Sequence, residues 1–96
     1  MAKIIFLDPA IEEFKAAVDY YNLQSEGLGF EFALEVKRTL KRISQYPLAW
    51  HILSPNTRRC RTNRFPYGVV YFLREKQIVV IAIMHLHRAP KAWTLQ

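Results

Sequence analysis

The most apolar part of the chain lies between residues 61 and 93. Two runs, 67–73 and 78–86, are separated there by the charged tetrapeptide Arg74-Glu75-Lys76-Gln77. Val, Ile, Tyr and Phe dominate both runs, and such side chains fit a pleated, buried surface better than a helix. A break this short permits only a tight reversal, so the pattern predicts an antiparallel hairpin. In the first run Tyr67, Val69, Tyr71 and Leu73 alternate with Gly68, Val70 and Phe72, and the second run is apolar on both faces as far as His85. Helices can cover one face of such a hairpin. The pattern therefore predicts that a partner or a second copy buries the other face.

Upstream the periodicity changes from two to 3.6. Residues 3–7 form a short β-type run that ends at Asp8-Pro9, with Asp8 read as a helix cap and Pro9 as the first helical residue. Ile11, Phe14, Val18 and Tyr21 then make one helical stripe, with Glu12, Glu13, Lys15 and Asp19 largely off it. Gly27-Leu28-Gly29 breaks the chain before a second helix over about 30–44, which turns Val36, Leu40 and Ile43 inward and Lys37, Arg38, Lys41 and Arg42 outward. Tyr46-Pro47 ends it. Residues 48–57 read as a loop anchored by Trp50, Ile52 and Leu53, and 58–62 as a strand with Arg59 and Arg61 on one face and Cys60 on the other. The element order is β-α-α-β-β-β. It predicts an α+β fold: a small antiparallel sheet with an N-terminal helical hairpin packed on one face.

A chain of 96 residues, 51% hydrophobic and 14% aromatic, suffices for one domain spanning 1–96 and argues against disorder. No apolar run reaches the roughly 18 residues of a membrane span, and Met1-Ala2-Lys3 opens no signal peptide, so a soluble cytoplasmic protein without a membrane partner is expected. The single Cys60 excludes an internal disulfide framework and a cysteine-only zinc site. The net charge is +6, and of the eight acids only Glu75 lies beyond residue 35. The positive potential thus belongs to the C-terminal two-thirds. It suits a polyanionic partner such as nucleic acid, a ribosome or an acidic protein segment, or simply serves solubility.

The candidate chemistry gathers at one end of the hairpin, where Arg61, Arg64, His85, His87 and Arg88 fall. Cleavage of RNA by its own 2′-hydroxyl needs a base, an acid and cations around the phosphorane. Histidine, with an ordinary pKa of about 6.5, suits the proton transfers, and the planar fork of arginine suits the phosphate. His85 and His87 share a face on a continuing strand, and Arg61 and Arg64 precede the neighbouring one. His85 is equally read as a cap on the strand edge. Arg58, Arg59, Arg61 and Arg64 form the densest basic cluster, read as a contact for phosphate or an acidic partner, or as a solvated edge that discourages strand pairing. Trp93 packs on the core, stacks on a base or enters an interface. A metal site would need His85 and His87 joined by His51 or Cys60, with nothing to fix the remaining ligands, so neither metal nor cofactor is expected.

Several segments together resemble the RelE/ParE superfamily of bacterial toxins, the toxic halves of type II toxin–antitoxin (plasmid stabilization) modules. These are the helix ending Asp19-Tyr20-Tyr21, Gly27-Leu28-Gly29-Phe30-Glu31-Phe32, the helix ending Ile43-Ser44-Gln45-Tyr46-Pro47, Arg64-Phe65-Pro66-Tyr67-Gly68-Val69-Val70-Tyr71, and Ile83-Met84-His85-Leu86-His87-Arg88-Ala89-Pro90. The resemblance implies a small α+β fold, a cognate acidic antitoxin whose tail wraps the toxin, and growth arrest when the toxin is free. It also admits a homodimer or a toxin–antitoxin hetero-oligomer. RelE-like members cleave messenger RNA in the ribosomal A site. They use an arginine just after the first tyrosine of the third strand, further basic residues, and a C-terminal tyrosine or histidine. Here Gly68 follows Tyr67, and the aromatic near the end is Trp93, which lacks a hydroxyl. ParE-like members inhibit DNA gyrase, and no hydrolytic site is assigned to them. The leading expectation is accordingly a ParE-like inhibitor of gyrase that binds through Arg58, Arg59, Arg61, Arg64, His85, His87, Arg88 and Trp93. The alternatives are a ribosome-dependent mRNA endonuclease using Arg61, Arg64, His87 and Arg88, and a non-toxic basic module that binds RNA or protein.

Overall fold

The computed structural model describes residues 3–88. Strand β1 (Lys3–Phe6) leads into α1 (Asp8–Gln24) and α2 (Leu28–Gln45). Four strands follow: β2 (His51–Ser54), β3 (Thr57–Arg61), β4 (Tyr67–Arg74) and β5 (Gln77–His85). They form one sheet in the order β1-β5-β4-β3-β2. The α+β class and the helical hairpin follow the sequence pattern, with two differences in the sheet.

One concerns residues 48–57, which are not all loop. His51–Ser54 pairs antiparallel with β3 as an edge strand. The other concerns β1, which runs parallel to β5 with Ile4 beside Ile78 and Phe6 beside Val80, so the sheet is mixed. The long α1–α2 excursion returns the chain to the other side of the sheet, as a parallel neighbour requires.

The helices pack on one sheet face. Ala10 and Ala17 of α1 and Phe32, Val36 and Ile43 of α2 meet Val69 and Tyr71 of β4 and Ile78, Val80 and Ile83 of β5. The two helices approach closely at Gly29, where an added Cβ would stand 2.4 Å from the Val18 carbonyl oxygen. The Gly29 N–H donates to Asn22 Oδ1 at 2.8 Å, so the helix–helix turn is tied by a residue that leaves room for it. At the start of α1, Leu7 occupies the N-cap position and no side chain caps the helix. Asp8 lies in the first turn, where its charge complements the dipole, rather than capping.

A β-bulge decides which way the end of β5 faces. Val70 pairs with Ala82 but Tyr71 pairs with Val80, leaving Ile81 unmatched. Ile83 and His85 therefore join Val80 on the helix side, whereas unbroken alternation from Val80 would have turned them away. The second sheet face is already shielded at its centre: Val70, Val79 and Ala82 are 0–1% exposed in the single chain. The expectation that a partner must bury this face is thereby corrected. Part of the cover is intramolecular, since the Arg59 stem and Leu86 lie over Gly68.

Candidate functional site

One aromatic residue from the sheet, one from the turn before it and two from the helices build the floor of the corner where β5 ends. Tyr67 opens β4 opposite His85 and packs against Phe32 at 5.0 Å and Tyr21 at 6.1 Å between ring centroids. Phe65 closes the group at 4.8 Å from Tyr21 and 5.3 Å from Phe32. Each such edge-on pair adds about 0.5–1.5 kcal/mol beyond area burial, which makes this a rigid base. Thr62 holds the turn beneath it, its hydroxyl shared between the carbonyls of Phe65 and Tyr67 at 3.0 Å each.

His85 stands on that floor, its ring 5.0 Å from Tyr67 and 5.8 Å from His87. The His87 backbone N–H donates to His85 Nδ1 at 3.1 Å, and the Arg88 N–H to the His85 carbonyl at 3.4 Å. Desolvation, then the charge of Arg88, then His87 hold the His85 pKa below its ordinary value. The ring is therefore neutral at pH 7, and acceptance at Nδ1 assigns its proton to Nε2. Burial raises the pKa of Tyr21 and of Tyr67, with Arg88 opposing in both cases, so both phenols keep their protons. Tyr20, 48% exposed, meets Tyr21 edge-on at 5.3 Å.

The helix side contributes one more element. Beyond its pairing with β1, the edge of β5 is covered by α1, and the Ile83 N–H donates to Glu13 Oε1 at 2.9 Å. Glu13 is thus half-buried and engaged with the sheet, not merely off the helical stripe. Chemically, the corner presents two protonated phenols, a neutral imidazole that donates from Nε2, and the exposed His87 and Arg88. That inventory suits the binding of an anionic or carbonyl-rich surface.

The remaining residues singled out in the sequence do not all gather here. Arg64 sits in the turn before β4 at φ 71°, with Nη2 2.6 Å from Glu31 Oε1 and its guanidinium 5.3 Å from the Phe65 ring centroid. Arg61 pairs with Gly68, so its side chain leaves the sheet on the face opposite Tyr67 and His85. Arg59 shares that face, and its stem fills the space above Gly68: a Cβ there would lie 2.8 Å from Arg59 Cγ and 3.3 Å from Leu86 Cδ2. Arg58 lies on the helix side at the far part of β3, where Nη1 donates to the carbonyls of Leu48 and Trp50 at 2.9 and 3.0 Å. The basic cluster is therefore split between two faces and a turn. Trp93 lies outside the described residues.

Arg42, read as part of a wet helix face, instead reaches the sheet. Its Nη2 donates to the Arg61 carbonyl at 2.8 Å and to Thr39 Oγ1 at 3.0 Å. Burial raises the pKa of the Cys60 thiol, against a smaller opposing pull from Arg42, which leaves it a packed apolar group. Among the described residues, no group of three or more His, Cys, Asp and Glu side chains is placed to hold a metal ion. No described helix is long and apolar enough to cross a membrane. The sequence reading missed Tyr20, Tyr21, Tyr67 and Glu13 as parts of this corner. Tyr21 did close the α1 stripe and Tyr67 did open the hairpin, but their meeting depends on the bulge and on Gly29.

Comparison with known proteins places this geometry. No curated protein sequence matches significantly. Among solved structures, the chain is similar to the chromosomal ParDE toxin–antitoxin system from P. aeruginosa, with a TM-score of 0.78 at 15% identity, covering 91% of this chain and 98% of that one. It is also similar to the isolated E. coli RelE toxin, with a TM-score of 0.67 at 18% identity, covering 93% and 88% respectively. At such identities the likeness is one of fold. The model of the ParE toxin of the type II toxin–antitoxin system parDE matches residues 4–90, and the chain belongs to that toxin family.

Proposed function

We propose that this chain acts as a single toxin domain, in the cytoplasm, arresting growth by binding a large target, DNA gyrase, rather than by hydrolysing RNA. The family supports an antitoxin partner, and the +6 charge suits an acidic one. The observation that carries the reading is the filled space above Gly68. A RelE-like nuclease of the kind the sequence resembles would place an arginine there, and here the Arg59 stem and Leu86 occupy the position. Two further observations support it. Arg61 faces away from His85, and His85 Nδ1 is engaged by a backbone N–H, so it offers no free lone pair to act as a base.

The competing reading, a ribosome-dependent mRNA endonuclease, draws on the closeness of His85, His87 and Arg88 in the same corner. Pulse labelling after induced expression separates the two. The gyrase reading expects DNA synthesis to stop before amino-acid incorporation, with accumulating DNA breaks, and expects the purified chain to block gyrase supercoiling. Early loss of amino-acid incorporation with new mRNA ends would overturn it in favour of the nuclease. Growth without change in either would leave only a binding module.

A further inference from the structure

The helical hairpin leaves its outer face, the one turned from the sheet, without a partner among the described residues. On α1 that face carries Asp8, Glu12, Ala16 and Leu23, and on α2 it carries Phe30, Lys37 and Lys41, each spaced by one or two turns. Leu23 is 86% and Phe30 67% exposed, which makes them the most exposed large apolar side chains of the two helices. Both lie at the turn end of the hairpin. Glu12, Lys37 and Lys41 are exposed and enter no ion pair among the described residues, where Glu35 pairs with Arg38 and Glu31 with Arg64. Apolar side chains this exposed, beside uncommitted charges of both signs, mark a contact surface rather than a wet helix face.

The alignment of the two helices puts opposite charges on matching levels. Gly29 lies against the Val18 carbonyl and the Asn22 side chain, so it is level with the turn between them. The helices run antiparallel from there, and equal steps along both set Ala16 level with Ala33, Glu12 with Lys37 and Asp8 with Lys41. Helical side chains lean towards the N-terminus of their own helix. Across an antiparallel contact Leu23 and Phe30 therefore lean towards each other, and so do Glu12 and Lys41. Within one chain the charges stay apart, because the acids Asp8, Glu12 and Asp19 stand on α1 and the lysines on α2.

A two-fold axis parallel to the helices brings them together. It lays α1 of one copy on α2 of the other without changing level. Leu23 then meets the partner's Phe30, Ala16 leaves room for the stem of the partner's Lys37, and Glu12 meets the partner's Lys41. An axis across the helices would instead lay α2 on α2 and set lysines against lysines. The acids on α1 repel a nucleic acid or an acidic segment, and the lysines on α2 repel a basic one, whereas a second copy matches both signs. The positive excess of the chain stays away from this face, on Arg58, Arg59, Arg61, Arg74 and Arg88. We propose that the chain forms a two-fold dimer through the outer face of its helical hairpin, with the Leu23–Phe30 contact and the Glu12–Lys41 ion pair each made twice. From Asp8 to Leu23 the face is about 23 Å long, and across two helices it is about 20 Å wide. It buries about 500 Å² per copy, the low end for specific association, so the dimer dissociates on dilution.

The test follows the full chain by sedimentation equilibrium from low to high micromolar concentration. The expected result is a reversible monomer–dimer equilibrium, with amide shifts on dilution at residues 12–23 and 30–41 of the isotopically labelled chain. Glu12→Lys and Lys41→Glu should each weaken the dimer by about tenfold or more, because each sets like charges together at both contacts. Mixed in equal amounts, the two variants should associate about as tightly as the parent chain, since one then carries positive and the other negative charge at both contacts. Leu23→Ser should weaken the dimer without moving the unfolding midpoint of the monomer. A parent chain that stays monomeric at every concentration would overturn the proposal. So would dilution shifts confined to 51–61 or 83–88, or a mixture of E12K and K41E that associates no better than either alone. The outcome is separate from the gyrase reading, which growth arrest and supercoiling decide. A toxic monomer leaves that reading standing and removes the dimer; a non-toxic dimer does the reverse.

Discussion

The side chain of Arg59 lies across Gly68, so that the methylene stem of one residue occupies the room another residue's Cβ would need. The two sit on neighbouring strands, two residues apart in register and on the same face. The contact ties β3 to β4 on the face away from the helices. Gly68→Ala should push the stem aside and destabilise the chain by about 1–3 kcal/mol, the usual range for overpacking. Arg59→Ala makes space, so the double variant should recover part of the loss, with a coupling of about 0.5–3 kcal/mol in a denaturant double-mutant cycle. Strict additivity would show that the stem is not what fills the site.

Gly29 gives a sharper case, because its neighbour is backbone. An alanine Cβ would meet the Val18 carbonyl oxygen at 2.4 Å, and a helix cannot move one carbonyl aside as a flexible side chain moves. Gly29→Ala should therefore cost about 3 kcal/mol, at the upper end of overpacking effects, and thermal unfolding should show it. Asn22→Ala removes only the 2.8 Å hydrogen bond to the Gly29 N–H and should cost about 1 kcal/mol.

Glu13 accepts the Ile83 N–H at 2.9 Å where no strand is available to do so. Glu13→Gln keeps an acceptor oxygen and should preserve slow hydrogen exchange at the Ile83 amide. Glu13→Ala leaves that amide unpaired and should speed its exchange while lowering stability by about 1–3 kcal/mol. Equal exchange in the two variants would remove Glu13 from this role.

The His85 pKa is lowered in the folded chain by desolvation, Arg88 and His87. Its contribution to stability is therefore complete above the ordinary histidine value of about 6.5 and is lost as pH falls through the lowered folded value. Protonation also takes Nδ1 from the His87 N–H. An NMR titration should place the His85 midpoint below the ordinary histidine value of about 6.5. His85→Asn supplies an acceptor that does not titrate, and the acid-side loss of unfolding temperature between about pH 7 and 5 should shrink in that variant.

The hairpin β4–β5 and both helices are legible in the sequence because each carries its own periodicity, two for the strands and 3.6 for α1 and α2. What is not legible depends on distant partners. Strand β2 is four residues, mostly exposed and bracketed by Pro47 and Pro55, so nothing local separates it from a loop. The residue pattern of β1 announces a strand but not that its neighbour would be β5, parallel and more than seventy residues away. The site divides in the same way. Arginines and histidines near the hairpin end were visible as types, yet the bulge at Ile81 decides that His85 faces Tyr67, and register decides that Arg61 does not. Arg42 was misread because helical position alone does not reveal a carbonyl waiting across the groove.

The parallel pairing of β1 with β5 also sets a clock on synthesis. Lys3 leaves the ribosome among the first residues, but its sheet partner Gln77 follows only after both helices and three further strands. Until then β1 has no ladder to join, and the corner lacks His85. Such long sequence separation slows folding relative to local contacts. A nascent copy thus lacks the finished sheet and its corner for most of its translation, and both form only once nearly all of the described chain has emerged.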